Sequence, residues 1–202
     1  MSSRTVAKMD LPVRILPLLL LTFLPMHCNG YPNGKVEQAC KTMTPLHGAD
    51  ADPSFPPYSL SFSSVNHTGI LGFRVTLNKE PGTSDFKGFL IQARAPGGDT
   101  PQGTFVVMTS DAQTLSCTTL DSAVSHTSRS MKSNASVIWL PPSKASTDIQ
   151  FRATVVQSKN MFWTNVLSDI IPLAGAGPQH SASSLIQLLL CSTALFYGLF
   201  TF

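Results

Sequence analysis

Charge is what this 202-residue chain has least of: Asp, Glu, Lys and Arg together make up 12% of it, about half the usual share for a soluble globular protein. No run of Lys and Arg is long enough to neutralise a phosphate backbone, so nucleic acid is excluded as an expected partner. The composition likewise excludes a disordered tail protein, a coiled coil and a multi-pass membrane protein. Metal ligands are sparse. Cys40 has no cysteine close by, and His47 lies seven residues on, which is not zinc-site spacing. His47, His67 and His126 lack a Ser, Cys or Asp partner at a telling distance along the chain, so no catalytic constellation, metal or cofactor is expected.

What the chain has instead is apolar sequence concentrated at its two ends. Arg4, Lys8 and Arg14 precede the leucine-rich stretch Ile15 to Leu24, which is too short to cross a bilayer, and Cys28-Asn29-Gly30 supplies small residues before Tyr31. Residues 1–30 are therefore read as a secretory signal, cleaved before Tyr31. At the other end, Leu185 to Phe202 is uncharged and is preceded by the small residues Ala174-Gly175-Ala176-Gly177 and a polar spacer, Pro178 to Ser184. A small-residue site, a spacer and a hydrophobic end are the order of a glycosylphosphatidylinositol (GPI) attachment signal, with Gly175 as the expected lipid-attachment residue. A transmembrane tail is the competing reading. It normally carries Lys or Arg on its cytoplasmic flank, and none occurs after Lys159.

Such processing leaves residues 31–175; the whole chain then divides into the signal at 1–30, a folded body at 31–172, a small and polar linker with the attachment region at 173–184, and the hydrophobic end at 185–202. Removing Arg4, Lys8 and Arg14 leaves 11 cations, and removing Asp10 leaves 10 anions. Net charge then nominates no partner. Two cysteines survive, Cys40 and Cys117, and an even pair in an oxidising compartment predicts one disulfide. Asn66-His67-Thr68 and Asn134-Ala135-Ser136 are N-glycosylation sequons, placing Asn66 and Asn134 on exposed loops or strand edges if they carry glycan.

The body reads as strands. Leu71, Phe73, Val75 and Leu77 alternate with Gly72, Arg74 and Thr76; Phe89, Ile91 and Ala93 alternate with Leu90, Gln92 and Arg94. Further segments fall at Tyr58 to Ser64, Thr104 to Thr109, Ser136 to Leu140, Ile149 to Val155 and, less regularly, Phe162 to Ile171. About seven short strands separated by turn residues predict an all-β, two-sheet antiparallel sandwich. The polar stretch Ser110 to Lys132 is expected to hold loops and one irregular strand. A Cys40–Cys117 bond would pin the N-terminal segment to the body rather than join two sheets.

In order along the chain, Tyr31-Pro-Asn-Gly-Lys35, Phe86-Lys-Gly-Phe-Leu-Ile-Gln-Ala-Arg94, Gly103-Thr-Phe105, Ala123-Val-Ser-His126, Val137-Ile-Trp139 and Phe151-Arg-Ala-Thr-Val-Val156 resemble the reeler (reelin N-terminal) domain. The resemblance covers residues 31 to about 171 and implies an immunoglobulin-like β-sandwich with a disulfide. Reeler domains occur in reelin and spondin-type matrix proteins, insect defence proteins and ferric-chelate-reductase-like membrane proteins. In the last group the redox chemistry belongs to further domains, so a redox role is not expected to transfer to one sandwich. The C-terminal signal favours a lipid-anchored cell-surface recognition or adhesion module binding an extracellular protein or glycan; a microbe-binding defence protein, which the insect members suggest, and an accessory ectodomain of a membrane redox partner are the alternatives.

Individual residues are read conservatively. His126 is expected to orient the loop after Cys117, Asp50 and Asp52 to be solvated, and Trp139 and Trp163 to fill the core. Lys87, Arg94, Arg129, Lys132 and Arg152 are scattered along the sequence. Their convergence on one face would favour an anionic glycan or a bacterial surface lipid. Deleting Leu185 to Phe202 is expected to turn a surface protein into a secreted one, read by comparing medium and cell-surface fractions; continued membrane retention would refute the anchor.

Overall fold

The computed structural model describes residues 31–46 and 48–173, so the readings made for residues 1–30, His47, Gly175 and 185–202 lie outside the described residues. Among the described residues nine strands follow a short 3-10 turn at Glu37–Ala39: β1 (Tyr58–His67), β2 (Ile70–Lys79), β3 (Gly88–Arg94), β4 (Thr104–Val107), β5 (Ala112–Leu115), β6 (Ala123–His126), β7 (Asn134–Leu140), β8 (Ile149–Ser158) and β9 (Met161–Ile171). They form a four-stranded sheet of order β1-β2-β7-β4 and a five-stranded sheet of order β5-β6-β3-β8-β9. Every strand pairing is antiparallel. Four strands facing five is the layout of a variable-type immunoglobulin sandwich. Here, however, the edge strand β4 precedes the β5–β6 hairpin that extends the opposite sheet.

The inward residues are those that the alternation singles out. Val75 and Leu77, Phe89, Ile91 and Ala93, Val137 and Trp139, and Ile149, Phe151, Ala153 and Val155 share one buried cluster between the sheets. Rings meet across it, with Trp139 edge-on to Phe151 at a centroid distance of 5.4 Å and Tyr58 against Trp163 at 5.5 Å. Both indoles are core residues with satisfied N–H groups. Trp139 Nε1 donates to the Gln102 carbonyl at 2.9 Å and Trp163 Nε1 to Ser54 Oγ at 3.1 Å.

Three differences from the expected pattern have physical causes. Leu71 is exposed, because the β1–β2 hairpin overhangs β7, whose pairing with β2 begins only at Phe73↔Trp139. The Ser110 to Lys132 stretch holds two short strands rather than one. Ala112, Leu115, Ala123 and Val124 are buried there, and such small residues over four-residue strands leave a faint periodic signal. Strand β3 is buried on both faces, although Gln92 and Arg94 alternate with its apolar residues. The cover is the N-terminal strap, residues 31–46, which lies over the outer face of the five-stranded sheet. Ala39 and Met43 of the strap pack there with Leu90, Leu115 and Ala123 in a second small core.

Gly103 shows how tightly the sandwich closes. Its φ is +71°, and a Cβ there would stand 2.4 Å from Trp139 Nε1 and 2.5 Å from the Leu140 carbonyl oxygen. Both the backbone conformation and the space require glycine. Gly103→Ala is expected to lower unfolding stability by about 2–4 kcal/mol, seen as a lower denaturant midpoint with unchanged m.

Candidate functional site: the cleft beneath the N-terminal strap

The strap is a stretch of irregular backbone over a sheet, so its buried carbonyl groups need donors. The sheet's outer face provides them. Arg94, 2% exposed, uses Nη2 to donate to the Cys40 carbonyl at 2.7 Å and the Lys41 carbonyl at 3.0 Å, while its Nε is held by Gln92 Oε1 at 2.8 Å. Gln92 Nε2 donates to the same Cys40 carbonyl at 3.0 Å. Thr154 Oγ1 donates to the Met43 carbonyl, and Gln113 Nε2 to the carbonyls of Asn33 and His126. Burial, then the nearby Arg152 guanidinium, lowers the Arg94 pKa from its ordinary value, with Asp99 opposing the shift. The buried cation is stabilised by neutral carbonyl oxygens in a fork geometry that Lys cannot reproduce.

The Cys40–Cys117 disulfide, with Cα atoms 5.5 Å apart, ties the strap to the segment after β5. It joins strap to sheet, as the position of the two cysteines predicts. The fully buried Ser122 holds the other side of the bond. Its Oγ accepts from the backbone N–H groups of Cys117 and Thr118 at 3.1 and 3.2 Å. At the start of the strap, Gly34 has φ +69°, and a Cβ on it would collide with the His126 carbonyl at 1.8 Å. The glycine of the Tyr-Pro-Asn-Gly-Lys motif therefore permits contact of strap backbone with β6.

Between the strap and the sheet lies a cleft of about 450 Å³. Val36, Ala39, Met43 and Leu46 form its strap wall, and Leu90, Thr154 and Val156 line the sheet side. His126 is at one flank. Its Nδ1 accepts the Phe89 backbone N–H at 3.2 Å and lies 3.3 Å from Ser125 Oγ. A Cβ on Gly88 would be 2.9 Å from the imidazole Cε1, so the glycine makes room for the ring. His126 thus joins β6 to the start of β3 rather than orienting the loop after Cys117, and its ring also borders the cleft.

The five cations singled out in the sequence divide three ways. Lys87 and Arg129 are exposed and line the cleft, joined there by Lys159, which the sequence pattern did not mark. Arg94 is consumed in holding the strap. Lys132 is 5% exposed, with Nζ donating to the carbonyls of Lys87, Ser128 and Ser130, and burial lowers its pKa from the ordinary value. Arg152 is half-buried on the outer face of β8, and its Nε has no hydrogen-bond partner. Convergence is therefore partial. Among the described residues, none that lines the cleft is acidic.

The remaining sites lie apart from it. Asn66 is exposed at the β1–β2 hairpin tip, where its Oδ1 accepts the Gly69 N–H at 2.8 Å. Asn134 is exposed at the start of β7. Both belong to the four-stranded sheet, opposite the strap. Asp52 accepts from the Ser54 backbone N–H at 2.9 Å, and hydrogen bonds from Ser54 lower its pKa. Among the described residues no three His, Cys, Asp or Glu side chains come together.

A disulfide-tethered strap over the outer face of a two-sheet sandwich defines a class of β-module distinct from a generic immunoglobulin domain. This chain belongs to the Reeler domain family, whose model matches residues 38–178. Over 174 residues it is 34% identical to ferric-chelate reductase 1 of Mus musculus, covering 84% of this chain and 28% of that protein. Over 158 residues it is 34% identical to a defense protein of Drosophila melanogaster, covering 76% of this chain and 96% of that one. The chain thus spans less than a third of the length of the reductases it matches. The Reelin-N domain of F-spondin shares the fold at a TM-score of 0.50 and 19% identity, over 68% of this chain and 97% of that one.

Reduction of the disulfide is expected to release the strap while leaving the sandwich folded. The stability loss is expected to reach at most roughly 4 kcal/mol in the chain-entropy picture. Hydrogen exchange should speed up in residues 31–46 before it does in β3 and β8. An unchanged melting curve with both thiols alkylatable beforehand would refute the bond.

Proposed function

We propose that this chain is a non-catalytic recognition module at the outer face of the plasma membrane, held there by a GPI anchor, with the cleft beneath the strap as its ligand site. One observation carries the reading. In the Drosophila defense protein the matched region accounts for 96% of the protein, so this sandwich with its strap can be nearly the whole of a functional chain. The ligand is taken to be extracellular. Glycans on Asn66 and Asn134 would project from the four-stranded sheet and leave the cleft open. The cleft's lining supports binding rather than chemistry: it offers an apolar surface and cations, and the serine beside His126, Ser125, is fully buried with its hydroxyl donated to the Phe89 carbonyl.

A second reading is favoured by the insect relatives, three of which carry defense-protein names and are covered over 85–96% of their length. In it the same cleft and its cations engage a microbial surface component, and the anchor matters less than the binding face. The two readings share the site and differ in the source of the ligand.

Phosphatidylinositol-specific phospholipase C applied to intact cells expressing the full chain is expected to release a species whose intact mass ends near Gly175. Retention with residues 185–202 still attached would overturn the lipid anchor. Ferric-chelate reduction by the same cells should equal that of mock-transfected cells, and a reproducible gain would overturn the non-catalytic reading.

A further inference from the structure

We infer that the cleft beneath the strap binds a single-chain amphiphile with an anionic head: one acyl chain ending in a carboxylate or a phosphate. The inference deepens the recognition reading above and rests on it. The walls set the tail. The buried Met43 and Leu90 line the cleft together with Val36, Val156 and Leu46, a large apolar side chain left 52% exposed. An apolar side chain of that size facing an open cleft is surface that a ligand can cover. The volume sets the number of chains. About 450 Å³ is near the small end of ligand clefts, which suits one alkyl chain rather than a bulky multi-chain lipid.

The head is set by charge. Lys87, ahead of β3, Arg129, after β6, and Lys159, in the β8–β9 turn, reach the cleft from three segments, and all three are exposed while its base is buried. Among the described residues that line the cleft none is acidic, so the charges on its walls are all positive. Neither Lys87 nor Arg129 takes part in a salt bridge among the described residues, so an incoming anion displaces no ion pair there. A sulfated glycan would satisfy the cations but leave the apolar walls uncovered. A neutral sterol would do the reverse. One acyl chain with an acidic head matches both.

The test uses the full chain displayed on cells and a photoreactive, alkyne-tagged sixteen-carbon fatty acid, with labelled peptides mapped by mass spectrometry. Labelling is expected within residues 36–46 or 154–159. Competition should strengthen roughly fourfold with each methylene added to a fatty acid, until the chain fills the cleft. The alcohol of the same length should compete at least tenfold more weakly than the acid. Fatty acid and monoacyl phosphate run in parallel assign the head, the better competitor naming the source. Lys87→Gln with Arg129→Gln should cut labelling about tenfold at unchanged surface display. Leu46→Asp, a change at a half-exposed position that leaves the core intact, should do the same through the tail. Absence of labelling, labelling mapped elsewhere, or equal competition by acid and alcohol would overturn the inference. Release by phospholipase without labelling would remove this ligand class and leave the surface module standing; labelling without release would overturn the lipid anchor and leave the ligand assignment standing.

Discussion

Arg94 and Gln92 donating to the Cys40 and Lys41 carbonyls are the contacts on which the distinctive part of this molecule depends. A sandwich can be completed without them, since its core lies between the sheets. The strap cannot. Backbone laid over a sheet brings carbonyl oxygens into places that water does not reach, and each is costly if left without a donor. A guanidinium oriented by a neighbouring amide supplies several donors from one direction. The disulfide then limits how far the strap can move, and the cleft is the space left between the fixed strap and the sheet.

Much of the sandwich was legible because half-buried strands declare themselves by alternation. Ile149, Phe151, Ala153 and Val155 do so fully, and they occupy the buried cluster. The irregularity expected toward the end of the chain corresponds to register shifts along the β8–β9 pair, between Gln150 and Arg152, Ala153 and Val155, and Val156 and Ser158. The alternation failed where a third layer was present. In β3 the outward residues Leu90, Gln92 and Arg94 look like a solvent face with one stray leucine, whereas a strap covers all three. That leucine was the available signal, since a large apolar residue at an outward position asks for a cover.

The cleft was not legible at all, for a geometric reason. Its walls come from residues 31–46, 87–90, 126–129 and 154–159, brought together only by the crossing of strands between sheets. Charges that look scattered in sequence sort by burial in the fold. Arg94 and Lys132 act as internal ties among carbonyl oxygens, whereas Lys87, Arg129 and Lys159 meet the cleft. Nothing in the residue types separates the two groups. Their depth in the structure does.

The way the strap is fastened bears on how such a protein changes over time. Four of its points of attachment, at Asn33, Cys40, Lys41 and Met43, are main-chain carbonyl oxygens, and the side chains that grip them belong to the sheet. Every amino acid supplies the same carbonyl. Apart from Gly34, Cys40 and the buried Ala39 and Met43, which pack in the second core, the strap's side chains can therefore be exchanged without loosening the fastening. Those side chains form one wall of the cleft, so lineages can revise what the cleft accepts while inheriting the sandwich and its grips unaltered.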